Sequence, residues 1–288
     1  MMLGVERPVA IVTGAIGGIG RWIALGLARA GYHVVLIGRD SARGEATQAW
    51  IASRVPQAST TLMIADLSLL TATREVGGLI VSRHTEIKLL VNNAGIFDAT
   101  PIITMEGHER VLATNLLSPF VLTQTLLPSL RASAPSRIIT IGSSTSDRAR
   151  IDPDHLVLGG RWTMMRAYSQ SKLAVMMTTF ALAKHMEGTG VVANVVHPGL
   201  VASGLVQTRG IIGFVWRCMA PFALTAEQGA DTPLTAALAP EFANVSGAYL
   251  KNRRAVPPNR RSLDPALVAR VWSATERLAA LPAGGTPS

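Results

Sequence analysis

Pro8-Val9-Ala10-Ile11-Val12-Thr13-Gly14-Ala15-Ile16-Gly17-Gly18-Ile19-Gly20 is the stretch on which the reading of this chain turns. Its first six residues form a short apolar run, the pattern of a strand buried on both faces of a parallel sheet. Glycines follow at once. Trp22 to Ala30 then reads as an apolar-rich helix that Gly31 closes as a C-cap, and His33-Val34-Val35-Leu36-Ile37 is a second strand. The glycines therefore sit at a strand-to-helix turn inside a βαβ unit. Alone, a glycine cluster is more often an ordinary turn. In this place it lets backbone N–H groups close on a pyrophosphate, which also meets the positive end of the helix dipole. Gly14, Ile16, Gly18, Ile19 and Gly20 are the candidate cofactor contacts of this loop.

The alternation continues down the chain. Ser41 to Val55 has a helical pattern, Thr60 to Ala65 is a strand closing on Asp66-Leu67-Ser68, and Leu69 to Arg83 is helical but weakened at Gly77-Gly78. Ile87 to Val91 is a strand leading into Asn92-Asn93-Ala94-Gly95, Glu106 to Leu130 carries a long helical pattern, and Arg137 to Gly142 is another buried strand. A helix runs from Tyr168 to about His185, followed by a strand from Val191 to Val196 and the turn His197-Pro198-Gly199. Repeated βα units of this kind predict an α/β fold. The expectation is one Rossmann-type domain over residues 1–288, a doubly wound parallel sheet with helices on both faces. Right-handed crossovers place the carboxyl ends of the strands along one edge, where ligands bind.

Composition narrows the function. At 288 residues, 48% hydrophobic and 16% charged, the chain can bury a large core. Its single cysteine, Cys218, excludes an intrachain disulfide. Met1 to Pro8 lacks the apolar core of a signal peptide, and Ile211 to Leu224 is too short to span and is broken by Arg217 and Pro221. A cytoplasmic protein without a transmembrane segment is expected. The net charge of +9 raises the question of nucleic acid, but the arginines are scattered and aromatics make up only 5% of the chain. Attraction to a phosphorylated cofactor or another anion suits that surface better, and no nucleic-acid partner is expected. The six histidines and one cysteine show no metal-ligand constellation, so no metal is expected.

Tyr168-Ser169-Gln170-Ser171-Lys172 carries the chemistry. Residues four apart share a helix face, about 5–6 Å between Cβ atoms. A free phenol titrates at about 10 and is a poor acid or base at neutral pH. An ammonium beside it favours the phenolate, so the spacing predicts a lowered tyrosine pKa suited to proton transfer. A solvated tyrosine and lysine would be the default reading of the short motif alone.

Thr13-Gly14-x-x-x-Gly18-x-Gly20, Asn92-Asn93-Ala94-Gly95, Asn115, Ser143 and Tyr168-x-x-x-Lys172 occur in this order. Together they closely resemble the short-chain dehydrogenase/reductase family, from about Pro8 to Leu281. The carboxyl-terminal half is most similar to the retinol dehydrogenase-type branch. That likeness rests on Thr225-Ala226-Glu227-Gln228-Gly229-Ala230, on Ser246-Gly247-Ala248-Tyr249-Leu250, and on a final helix over about 264–281 with Trp272.

The resemblance implies an NAD(P)-dependent oxidoreductase acting on CH–OH and C=O groups. It implies Tyr168 as the acid–base residue and Lys172 as the holder of the nicotinamide ribose. Ser143 would bond the substrate oxygen, and Asn115 would anchor a water in a proton relay. Asp66, with Leu67 beside it, would meet the adenine, though a helix N-cap is its competing role. Asn93, Ala94 and Gly95 would line the adenosine ribose. Pro198, Gly199, Val201 and Ser203 would grip the carboxamide, with serine where the family usually has threonine.

NADP(H) is the preferred cofactor, with NAD(H) left open. The second strand ends Leu36-Ile37-Gly38-Arg39-Asp40, with no acid at Gly38, and Arg39 can pair with a 2′-phosphate. Asp40 is the rival ribose ligand. A substrate lid is expected over about 204–224, hinged at Gly204, Gly210 and Gly213. Its Ile211, Phe214, Trp216, Met219 and Phe222 predict a largely apolar carbonyl or alcohol substrate, retinoid-, steroid- or polyketide-like. Simple packing, a membrane contact or a homo-oligomer surface are the alternatives for those residues. Thr145 to Ala167 form an extra loop beside the substrate, in which Trp162, Met164 and Met165 are either pocket wall or the loop's own core. The competing function is a catalytically silent nicotinamide-binding sensor or scaffold, and behind it a nucleotide-sugar epimerase or dehydratase. A silent relative is expected to lose the tyrosine or the lysine, and both are present.

Overall fold

The computed structural model describes residues 7–201 and 223–280. Strand β1 (Val9–Thr13) is followed by α1 (Gly18–Arg29), β2 (His33–Gly38), α2 (Ser41–Ala52), β3 (Ser59–Ile64), α3 (Leu70–Arg83) and β4 (Ile87–Asn92). Next come α4 (Arg110–Leu112), α5 (Ser118–Ala132), β5 (Ser136–Ile141), α6 (Met164–His185) and β6 (Val191–His197). The chain closes with α7 (Ala226–Leu238), β7 (Tyr249–Lys251), β8 (Arg254–Ala255) and α8 (Pro265–Ala280). The strands form one sheet in the order β3-β2-β1-β4-β5-β6-β7-β8. All neighbours are parallel except β8, which returns antiparallel to β7. The chain reverses its direction of winding between β1 and β4, and this opens a crevice at their carboxyl ends. The expected doubly wound single sheet is what forms.

Alternate residues of each central strand feed opposite layers, which is why the strands are apolar throughout. Ala10 and Val12 pack with Ile23 and Leu27 of α1 and with Ala230 and Ala236 of α7. Val9 and Ile11 pack on the other face with Val76 and Ile80 of α3, Leu122 and Leu126 of α5, and Leu182 of α6. Outside α5 and α6 lies α8. Its Trp272 meets the rings of Phe120 and His185 edge-on, each at 4.9 Å.

Two expectations need correction. Gly77-Gly78 does not interrupt α3, which runs unbroken through both residues. Gly77 lets α3 lie close against α5, since a Cβ there would stand 2.9 Å from Thr125 Cγ2. The helical pattern from Glu106 to Leu130 is not one regular helix either. Glu106 lies before it and accepts the N–H groups of Leu70 (2.5 Å) and Thr71 (2.9 Å), capping α3 from across the fold. Between α4 and α5 the backbone takes a π-helical turn over Ala113–Leu117. Pro119 has no N–H to give the Asn115 carbonyl, so the regular bond four residues on is absent. Such π turns are frequent at functional positions, and Asn115 sits within this one.

Arg110–Ala132 is long and apolar enough to cross a membrane by length and composition, but 72% of its most apolar window is buried inside the fold. That is the burial of a core helix. Ser203 and nearly all of the expected lid, with its three glycines and apolar side chains, lie outside the described residues. On either side of that segment the chain is paired: Val201 bridges to Leu224, and the Leu224 N–H donates to the Leu200 carbonyl at 2.7 Å.

Candidate active site

The glycine loop and the end of β4 are stitched together across the crevice. Thr13 Oγ1 accepts the N–H groups of Asn93 and Ala94, each at 2.9 Å. Asn93 Nδ2 in turn donates to the carbonyls of Thr13 (2.8 Å) and Gly14 (3.3 Å). Gly14 has a φ of 63°, a left-handed value that glycine takes without strain. A Cβ on Gly20 would collide with the Gly14 carbonyl oxygen and stand 2.5 Å from Asn93 Nδ2. The turn into α1 is thus as tight as it can be. Gly17, at the N-cap, offers no side-chain acceptor, so the first N–H groups of α1 are left without a side-chain cap. Uncapped donors at a positive helix end suit a phosphate.

The loop's two isoleucines are packing residues. Ile16 lies over Gly38, where a Cβ would be 2.6 Å from Ile16 Cδ1. Ile19 joins the core cluster of α1 and α7. What they leave to a cofactor is their backbone. Leu67 is likewise buried in the core. Asp66 accepts the Ser68 N–H at 2.9 Å, a local turn rather than a helix cap, since α3 begins at Leu70.

At the end of β2, Arg39 is exposed. Asp40, its rival, is engaged: its Oδ1 accepts the Arg43 N–H at 3.0 Å and caps α2. The same first turn carries a residue that the sequence reading passed over. Arg43 folds back across the glycine loop, so that a Cβ on Gly17 would stand 2.5 Å from Arg43 Nη2. Arg39, exposed at the end of β2, and Arg43, against the glycine loop, thus put two cations at this end of the crevice. The one sequence signal for Arg43 was a basic residue in the first turn after the second strand.

The candidate catalytic residues lie further along the same sheet edge. Tyr168 is 9% exposed, and Phe97, from the loop after β4, meets its ring edge-on at 4.8 Å. Lys172 is fully buried and donates to the Ile141 carbonyl at 2.9 Å. Asn115 clasps the loop after β4: its Oδ1 accepts the Ile96 N–H at 2.9 Å and its Nδ2 donates to the Ile96 carbonyl at 3.0 Å. Asn115 Nδ2 also donates to Ser171 Oγ at 3.1 Å, and Ser171 Oγ donates to the Tyr168 carbonyl at 2.8 Å. Gly95 completes the group, its Cβ position 3.4 Å from both Asn115 Oδ1 and Lys172 Nζ. These residues, far apart in sequence, meet in one place.

Ser143 follows β5 in extended conformation and starts a short 3-10 turn, Ser144–Ser146. Its hydroxyl accepts both the N–H (3.3 Å) and the hydroxyl (3.1 Å) of Thr145. The Ser143 carbonyl (3.3 Å) and Asp147 Oδ1 (3.0 Å) share the single proton of the Tyr249 hydroxyl. Lys251 pairs with the other oxygen of Asp147. Thr145, Asp147, Tyr249 and Phe97 are further residues of this region that motif spacing did not reveal. Trp162 packs with Leu158 and Ala167 of the extra loop and also with Val111 of α4 and Ile96 after β4, so it joins the loop to the site's neighbours, while Met165 is half exposed in the first turn of α6.

The electrostatics differ from the expectation drawn from the four-residue spacing. Burial raises the Tyr168 pKa above its ordinary value, with the Ser143 hydroxyl acting in the lowering direction. The Lys172 nitrogen is 5.9 Å from the centre of the Tyr168 ring and is turned to the Ile141 carbonyl. Burial brings its own pKa down to about 8. The dominant effect on both groups is the loss of water, not their mutual charge.

On the far side of the crevice, Gly199 has a φ of 91° and lies under Leu224, Val201 is buried, and His197 ends β6 partly buried. No group of metal-ligating side chains occurs among the described residues. The glycine cradle, the uncapped start of α1 and the cationic edge at Arg39 and Arg43 together fit a phosphorylated dinucleotide.

Comparison with known proteins agrees. Residues 8–210 match the family model of short chain dehydrogenase. Dehydrogenase/reductase SDR family member 13 of Bos taurus is 38% identical, over 96% of this chain and 74% of its own. Retinol dehydrogenase 12 of Homo sapiens is 33% identical, over 92% of this chain and 84% of its own. Among solved structures, a protein from Beutenbergia cavernae assigned as an NAD(P)-dependent gluconate 5-dehydrogenase, with bound NADP at low occupancy, superposes with a TM-score of 0.69. It is 31% identical, covering 85% of this chain and 95% of its own.

Proposed function

Because this chain belongs to the short-chain dehydrogenase/reductase family, in its retinol dehydrogenase branch, we propose that it is an NADP(H)-dependent enzyme for bulky apolar carbonyls and alcohols. That it is an oxidoreductase of CH–OH and C=O groups follows from the family itself. The observation that carries the catalytic reading is the meeting of Tyr168, Lys172, Asn115 and Gly95 beside Ser143, at the carboxyl edge of the sheet.

When bound, the nicotinamide supplies or takes the hydride. The chain's residues do the rest. The Gly14–Gly20 loop and the start of α1 would hold the pyrophosphate, and Arg39 and Arg43 would pair with the 2′-phosphate, which supports NADP(H) over NAD(H). NADP in the Beutenbergia relative supports the same choice. Lys172 would hold the ribose hydroxyls. Ser143 would donate to the substrate oxygen as negative charge develops there, and Tyr168 would pass its phenolic proton to that oxygen or take it back. Phe97, edge-on to Tyr168, would form an apolar wall next to the reacting carbon. An apolar substrate accords with that wall and with the retinol named in the human relative.

The test is NADPH consumption by the purified protein against retinal, steroid ketones and aryl ketones, alongside small sugars and hydroxy acids. Faster turnover of the apolar carbonyls is expected. Faster turnover of the small polar ones would overturn the substrate reading, and tight NADPH binding with no turnover would point to the silent sensor.

A further inference from the structure

We propose that Thr145 is a positioning residue that fixes the Ser143 hydroxyl as a hydrogen-bond donor to the substrate oxygen. The inference rests on the role given to Ser143 above. A serine hydroxyl has one proton to give and two lone pairs to offer. In this fold both lone pairs are directed at Thr145, one to its N–H at 3.3 Å and one to its hydroxyl at 3.1 Å. The proton then has no use on that side. It is left for an acceptor other than Thr145, and the Tyr168 phenol is the neighbouring group of the crevice. A hydroxyl that accepts hydrogen bonds is also polarised into a better donor. A ketone oxygen can only accept, and the charge it gains during reduction strengthens its demand for a donor.

The geometry does not depend on the Thr145 side chain for its backbone. The Ser143 carbonyl accepts the Ser146 N–H (3.1 Å), the Ser146 hydroxyl (2.6 Å) and the Tyr249 hydroxyl (3.3 Å). Asn259 Nδ2 ties the same turn down through the carbonyls of Ser146 (2.8 Å) and Ala149 (3.0 Å). Removing one hydroxyl from Thr145 therefore leaves the turn in place. It frees a lone pair on Ser143, and with it the choice of where the serine proton goes.

Two variants separate the hydroxyl from the methyl. Thr145→Val keeps the branched shape and loses the donor, and Thr145→Ser keeps the donor and loses the shape. With an aryl ketone that the wild type reduces, Thr145→Val should lower kcat about tenfold, the scale of one hydrogen bond, and Thr145→Ser should restore it to within about twofold. Dead-end complexes give a readout without turnover. The ketone bound with NADP+ should bind about tenfold more weakly to Thr145→Val, whereas the corresponding alcohol bound with NADPH should be unchanged, because an alcohol can itself donate to Ser143. Equal weakening of ketone and alcohol, an unaffected Thr145→Val, or a Thr145→Ser as impaired as Thr145→Val would each overturn the proposal. A wild type that reduces no ketone of the panel would instead overturn the function on which the proposal rests.

Discussion

Lys172 Nζ donates to the carbonyl of Ile141 at 2.9 Å, so the ammonium on α6 is tied to the end of the strand that delivers Ser143. The lysine is fully buried, and burial lowers its pKa from 10.5 to about 8. The sign of the consequence is definite. Between those two values the unfolded chain holds the proton and the folded one releases it, so stability rises with pH across that window. At neutral pH the buried charge costs on the order of 3 kcal/mol relative to a lysine left in water. Denaturant melts of wild type and Lys172→Met should show this as a gap that changes by about that amount from pH 8 to 10.5, in favour of the wild type as pH rises. A constant gap would show that the ammonium is not destabilised. The same variant should bind NADPH at least about tenfold more weakly.

Tyr168→Phe keeps the ring and its edge-on contact with Phe97 but removes the proton. Groups of this kind contribute about 10²–10⁴-fold to rate, and turnover should fall by that order. Cofactor affinity, measured by fluorescence, should stay within about twofold. Retention of most activity would remove Tyr168 from the mechanism. Ultraviolet titration of the free protein, with Tyr168→Phe as the blank, should place this phenol above ordinary tyrosine, since burial raises it.

Arg43 lies over the glycine loop, its Nη2 2.5 Å from where a Cβ on Gly17 would stand. Arg43→Ala should raise the KM for NADPH about tenfold, with little change for NADH, and Arg39→Ala should act in the same direction. Each charge-assisted bond of this kind is worth about 1.5–3 kcal/mol. Equal losses for both cofactors would show that Arg43 supports the loop and does not read the 2′-phosphate.

His197 is held neutral, its pKa lowered to about 4 mainly by burial, next by the charge of Lys251, with Asp147 opposing. The unfolded imidazole takes its proton at about 6.5. Stability from this group is therefore complete above that value and is lost as pH falls toward 4, by on the order of 3 kcal/mol. His33 and His84, whose rings lie 5.2 Å apart, are lowered in the same direction, again mainly by burial. Thermal melts from pH 7 to 4 should decline, and His197→Gln should flatten the decline. An equally steep variant would assign the acid loss to other groups.

Much of the fold was legible because strands buried on both faces are apolar without interruption and the glycines fall where a strand turns into a helix. Gly14, Gly20 and Gly31 could be assigned from sequence since their demands are local: a left-handed turn, a close backbone approach, a helix end. Gly77 could not. A helical pattern cannot show that a neighbouring helix rests on one of its glycines. Nor could the π turn at Asn115, where an apolar periodicity of the helical kind hides a change in hydrogen bonding beside Pro119.

The candidate site divides along the same line. Tyr168 and Lys172 were evident because they sit one helical turn apart, and spacing within one helix is a property of the chain. Their charge states were not, because desolvation depends on what covers a group: Phe97 arrives from another element against the Tyr168 ring, the Ile141 carbonyl accepts the Lys172 hydrogen bond, and burial turns the expected lowering of the phenol into a rise. Arg43 over Gly17 and Tyr249 beneath Ser143 are likewise contacts between distant segments. The residue types and their order along the chain thus determined the family, the sheet and the candidate reacting groups. Only the tertiary structure decided which way those groups point and how much water they keep, because burial and hydrogen-bond direction arise from segments brought together by folding.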